Sequence, residues 1–106
     1  MKRGEIWWVN FEPSRGSEIK KTRPAVIVSD NVINRIRRTI VVIPLSSSPD
    51  PKPPIVIPLT SAGKDSVAVC DQIRTVDKSR FGKLIGSITE AETRQLDKSI
   101  RLVLNV

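Results

Sequence analysis

The sequence predicts a mainly β fold, a small antiparallel barrel, with one helix at the C-terminus. Five short runs of β-branched and apolar residues fill the first three quarters of the chain. Turn-forming residues separate those runs at short intervals, which favours a barrel over alternating strands and helices. Only the last segment has helical periodicity.

The first run, residues 6–11, places Trp7, Val9 and Phe11 on one face and Ile6 and Trp8 on the other. Both faces should therefore meet apolar neighbours. Trp7 and Trp8 suit core or dimer contacts better than base stacking. Pro24 pre-sets the start of the second run, residues 25–29, and residues 39–45 and 55–59 form the third and fourth. Residues 66–76 alternate long enough to read as one extended fifth strand. Between the second and third runs, residues 30–38 are basic and sized for a helical turn or two, too short for a helix-turn-helix. Residues 46–54 hold four prolines and form a stiff, extended connector. At the C-terminus Thr89-Glu-Ala-Glu92 is a capping box. Ala91, Leu96, Ile100 and Val103/Leu104 follow at helical spacing as an apolar stripe that packs on the barrel.

A length of 106 residues suits one domain spanning 1–106. The net charge is +7, and the excess lies in residues 1–83, with 15 Lys/Arg against 8 Asp/Glu; residues 84–106 hold three of each. A basic body favours polyanions, nucleic acid first and acidic protein segments second. Cys70 is the sole cysteine, and there is no histidine. An intrachain disulfide is thus impossible, a zinc site lacks ligands, and Cys70 has no imidazole to activate it. No apolar stretch reaches the ~20 residues of a membrane span. The charged start leads into no signal-peptide core, so a cytoplasmic location is expected.

The candidate site centres on the polar loop at residues 13–24, held between the first two strands. It presents Glu18 with Lys20, Lys21 and Arg23, a natural cradle for an anion. The end of the third strand adds the hydroxyls of Ser46 and Ser47. The fifth adds Asp71, Gln72 and Arg74, with Asp77, Lys78 and Arg80 beyond.

Arg3-Gly-Glu-Ile-Trp-Trp-Val9, Gly16-Ser-Glu18, Thr22-Arg-Pro-Ala-Val26, Val42-Ile-Pro-Leu-Ser46 and Asp65-Ser-Val-Ala-Val-Cys-Asp-Gln-Ile-Arg-Thr-Val-Asp77 stand in order along nearly the whole chain. In these motifs the chain resembles the MazF/PemK (Kid-type) toxins. The resemblance implies an SH3-like barrel, a homodimer, a neutralising MazE/PemI-like antitoxin, and sequence-specific cleavage of single-stranded mRNA without metal or cofactor. It implies attack by the ribose 2′-hydroxyl on its own phosphodiester, giving a 2′,3′-cyclic phosphate and a 5′-hydroxyl. Such a displacement needs no enzyme nucleophile, only orientation, charge stabilisation and proton transfer.

On this reading Arg23, Ser46 and Glu18 are catalytic. Arg23 is a forked, permanent cation for the phosphate, Ser46 a hydrogen-bond donor, and Glu18 or Asp71 the acceptor of the 2′-hydroxyl proton. Ser17, Lys20, Lys21, Ser47, Asp71, Gln72, Arg74 and Arg80 are the expected RNA contacts. The MazF branch usually has threonine at the position of Ser46. Kid-type members have histidine at Ser17 and arginine at Val69, while Asp71 matches their aspartate. The site is therefore MazF-style. The alternative is a CcdB-like gyrase poison of the same fold, non-enzymatic, whose working residues would lie on the terminal helix.

Overall fold

In the computed structural model, which describes residues 1–47 and 50–106, the chain order is β1 (Glu5–Asn10), β2 (Thr22–Ile27), α1 (Asn31–Ile36), β3 (Thr39–Ser47), β4 (Val56–Pro58), β5 (Ser66–Val69), β6 (Arg74–Asp77), β7 (Phe81–Ser87) and α2 (Glu90–Leu104). Ser48 and Pro49 of the expected proline-rich connector lie outside the described residues. All described ladders are antiparallel, in the order β4-β5-β3-β2-β1-β7, with β6 on β3. The edges come together where β7 meets the 3-10 turn Thr60–Ala62 after β4. The sheet is thus a curled, barrel-like one whose edge strands share no ladder among the described residues.

The expected alternation explains why the sheet is buried on both faces. Val9, Phe11, Ala25, Ile27, Ile40, Val42 and Val76 form one core cluster. Ile6, Val26, Ile43, Leu45, Ile57, Leu59, Ala68, Cys70 and Leu96 form the other. Successive residues of β2 and β3 enter opposite clusters, as the two-residue period of a strand requires. Trp7 packs against the first cluster and meets Phe81 edge-on, with centroids 6.1 Å apart. Trp8 is 42% exposed.

Two expectations on strands need correction. The single fifth strand at 66–76 is really β5 and β6, separated by a 3-10 turn at Cys70–Gln72. Both halves pair with β3, but the register shifts by three residues between them, the length of that turn. β3 carries Pro44, which has no N–H for a ladder, at the break. The second correction is β7, which the sequence reading passed over. Two glycines, Lys83 and mostly exposed side chains disguise it as a connector.

The capping box forms as expected. Thr89 Oγ1 accepts from Glu92 N at 3.1 Å, and Glu92 Oε1 accepts from Thr89 N at 2.8 Å. The apolar stripe of α2 is narrower than expected. Leu96 is buried, Ile100 and Val103 pack against the core, and Ala91 and Leu104 face solvent. α1 is capped by Asp30, whose carboxylate accepts from Val32 N at 2.8 Å.

Candidate active site

Arg23 lies inside β2, facing Val9 of β1 in the ladder. The β2–β3 ladder ends at Ala25↔Pro44, two residues short of both Arg23 and Ser46. Ser46 is itself fixed on its other side, pairing with Val67 of β5. The two side chains thus project from laddered backbone rather than from a free loop. They line one cleft of about 270 Å³ with Ser47, Lys64, Asp65 and Ser66.

Arg23 Nε donates to Lys20 O at 3.1 Å, which orients the guanidinium. Its terminal nitrogens have no protein partner among the described residues, and neither glutamate of the loop pairs with it. Glu18 Oε1 instead accepts from Arg15 N at 2.6 Å, and Glu12 Oε1 from Lys21 N at 2.8 Å. Both carboxylates therefore shape the loop that carries them. Lys21 has φ 68°, a left-handed conformation unusual for a side-chain-bearing residue. Phe11 N donates to its carbonyl at 3.0 Å and holds it there.

A second cleft, about 530 Å³, lies against Ser17 and Glu18 of this loop. Ser17, Glu18, Asp71, Gln72, Ile73 and Arg74 line it. The candidate residues thus fall into two clefts: Arg23, Ser46 and Ser47 in one, Ser17, Glu18, Asp71, Gln72 and Arg74 in the other. Lys20 and Lys21 are exposed on the loop and line neither.

Gln72 has a structural task as well. Its Oε1 accepts from Ile19 N at 2.7 Å, and its Nε2 donates to Ser17 O at 3.3 Å. One amide clamps the loop onto the turn between β5 and β6. Arg74 stacks over Phe11, with its Cζ 5.3 Å from the ring centroid. Arg80 donates to the carbonyls of Asn10 and Glu12, tying down the start of the loop. Cys70 is buried, and burial pushes its thiol up to about 11, so it is protonated at neutral pH.

Lys64 and Asp65 were not singled out as site residues, yet they stand in the cleft with Arg23 and Ser46. Lys64 is marked in the sequence only by the turn Gly63-Lys-Asp-Ser66 that opens β5, whereas Asp65 also begins the motif that runs to Asp77. That wall is braced from afar: Glu92 of α2 accepts from Ser61 N at 3.1 Å and from the Ser61 hydroxyl. Burial raises the Glu92 pKa, but the bonds from Ser61 and Thr89 outweigh it and leave the carboxyl below its ordinary range. A lowered folded-state pKa stabilises the fold above the unfolded value and is lost as pH falls through the folded one. Glu92→Gln should therefore lose stability at neutral pH and show a shallower acid limb than the parent when stability is measured across the acid range. An identical acid limb would show that Glu92 braces nothing.

A profile of the PemK-like, MazF-like toxins of type II toxin–antitoxin systems matches residues 2–104. The chain belongs to that family. Among curated relatives, endoribonuclease MazF9 of Mycobacterium tuberculosis (strain ATCC 25618 / H37Rv) is 36% identical over 115 residues, covering 100% of this chain and 98% of that protein. Endoribonuclease PemK of Escherichia coli is 38% identical over 95 residues, covering 85% and 71%. The solved structure of MazF from Deinococcus radiodurans superposes with a TM-score of 0.85 at 22% identity, covering 100% and 97%. At that identity the superposition establishes the shared PemK/MazF fold. A mycobacterial endoribonuclease solved with its cognate antitoxin gives a TM-score of 0.81 at 20% identity, covering 100% and 96%. Membership in this toxin family argues against the gyrase-poison alternative.

Proposed function

We propose that this chain is a sequence-specific endoribonuclease toxin that cuts single-stranded mRNA in the cytoplasm and so halts translation. The observation that carries the reading is that Arg23 and Ser46 line one cleft. A guanidinium on β2 whose terminal nitrogens have no partner among the described residues shares with a hydroxyl on the neighbouring β3 a cleft that admits a phosphodiester. The ribose 2′-oxygen forms a bond to phosphorus as the bond from phosphorus to the 5′-oxygen breaks. Negative charge gathers on the non-bridging oxygens, where Arg23 and the Ser46 hydroxyl meet it. The 2′-hydroxyl proton goes to a carboxylate, and the departing 5′-oxygen takes one proton from solvent water, which the carboxylic acid then restores, so no net proton is gained or lost. The products are a 2′,3′-cyclic phosphate and a 5′-hydroxyl. Asp65 lines the Arg23 cleft whereas Glu18 and Asp71 line its neighbour, so pH–rate profiles of Asp65→Asn, Glu18→Gln and Asp71→Asn assign the base.

Lys64 supplies a second cation beside the phosphate. Ser17, Ser47, Asp71 and Arg74 offer hydrogen bonds along the strand, and Lys20 and Lys21 draw the polyanion in. Gln72 and Arg80 act chiefly by holding the loop. An acidic segment of a cognate antitoxin competes for these cations; a related mycobacterial endoribonuclease is solved with its cognate antitoxin. The homodimer forms through the apolar surface of Ile55, Leu102, Leu104 and Val106, whose exposure runs from 46% to 83%. Asp71 borders both that surface and the second cleft, so a second copy there would extend the RNA track. No helix among the described residues is long and apolar enough to cross a membrane.

The test is incubation of purified protein with an unstructured transcript in EDTA. Discrete cuts bearing cyclic-phosphate ends are expected. Intact RNA, with trapped gyrase–DNA complexes, would overturn the reading.

A further inference from the structure

α1 is built inside out. An amphipathic helix on a protein surface normally turns its aliphatic residues inward and its polar ones to water. Here the one buried residue is polar. Asn34 is 2% exposed, donating through Nδ2 to Ser29 O at 2.9 Å and hydrogen-bonded through Oδ1 to the Ser29 hydroxyl. Ser29 Oγ in turn accepts from Val41 N of β3 at 3.1 Å. The helix is pinned by this polar anchor, while Val32, Ile33 and Ile36 stand 52%, 44% and 69% exposed.

Arg35, Arg37 and Arg38 are exposed in the same segment, and Asp77 of β6 lies near enough to Arg38 to feel its charge. None forms an ion pair among the described residues, where the one salt bridge joins Arg3 to Asp97. Arg35 also borders a depression of about 400 Å³ with Lys2 and Lys78. The only carboxylate in residues 30–38 is Asp30, engaged in capping the helix. This face is remote from the cleft along β3. Thr39 begins that strand next to α1 and Ser46 lies near its far end, a separation of roughly 20 Å at about 3.3 Å per residue.

From this we infer that α1 is a docking surface for an acidic, amphipathic segment of a partner protein, separate from the RNA cleft. Exposed aliphatic residues next to exposed arginines that form no ion pair among the described residues match a segment with leucine- or isoleucine-like anchors flanked by carboxylates. RNA is a poor fit because α1 carries no aromatic platform for bases. A second copy would set the same arginines against one another across a twofold axis. A helix of six residues also presents too little apolar surface to hold a membrane interface. The inference does not rest on the cleavage reading, since none of its residues lines either cleft.

The probe is a fluorescent peptide of about fourteen residues with leucines at helical i, i+3, i+4 spacing and glutamates elsewhere, titrated into the full chain. Amide shifts should concentrate on residues 31–38. Ile33→Ser/Ile36→Ser and, separately, Arg35→Ser/Arg37→Ser should each weaken binding about ten-fold or more, with circular dichroism unchanged. A glutamine version of the peptide should bind correspondingly less well. Affinity within about two-fold of the parent in both variants would overturn the inference. So would shifts confined to the clefts, or preferential engagement of α1 by oligouridylate or by phosphatidylserine vesicles.

Discussion

Replacing Arg23 with alanine should slow RNA cleavage by about 10²–10³ while the fold and the oligomeric state survive. The size of the effect follows from where the guanidinium stands. Its backbone is laddered to β1, and its Nε is held by Lys20 O, so the remaining donors are pre-aimed rather than recruited. Such donors act on charge that appears only in the transition state, so the loss should fall on kcat more than on KM. Lysine should recover little, because a point charge cannot reproduce a forked contact with two phosphoryl oxygens. Ser46→Ala should also be slow and Ser46→Thr active, since the hydroxyl is the working group. Single-turnover cleavage of one mapped site measures all four variants. Activity of Arg23→Ala within a few-fold of the parent would remove Arg23 from the reaction.

Replacing Leu96 with alanine should cost about 2–5 kcal/mol of stability, read from chemical denaturation. Leu96 is 1% exposed and joins α2 to the cluster containing Ile6, Val26 and Leu45. Removing it leaves a cavity beneath the helix whose Glu92 braces the Lys64 turn. Surviving folded protein should therefore still cut RNA, less efficiently and with greater sensitivity to temperature.

Much of the frame was legible because its signals are local. Alternation in residues 6–11 and 39–45 reports two buried faces, and Thr89 with Glu92 announces its own helix start. Arg23 and Ser46 were legible as candidates because one belongs to the charged loop at residues 13–24, the other ends the third apolar run, and both lie in the motifs that carry the family resemblance. What escaped depends on distant partners. Nothing near Gln72 reveals that its amide is bonded to Ile19, 53 residues away. Nothing near Ser61 points to Glu92, 31 residues on. The break between β5 and β6 is imposed by β3, which pairs with both in different registers. β7 exists because β1 needs a second neighbour, and its glycines hide it: Gly82 lies where a Cβ would stand 3.4 Å from Trp8 Cβ. The division of the candidates into two clefts is likewise a product of the loop's path, which composition does not encode.

A single-atom change in the substrate examines the chemistry most directly. Two RNAs identical except for a 2′-deoxyribose immediately 5′ of a mapped cut would be incubated with the toxin in EDTA. The ribose-driven displacement predicts that the deoxy strand binds normally and stays whole at that bond, while the parent strand yields its cyclic phosphate. Scission of the deoxy strand at a comparable rate would mean that water or a protein group attacks phosphorus, and the account would be wrong.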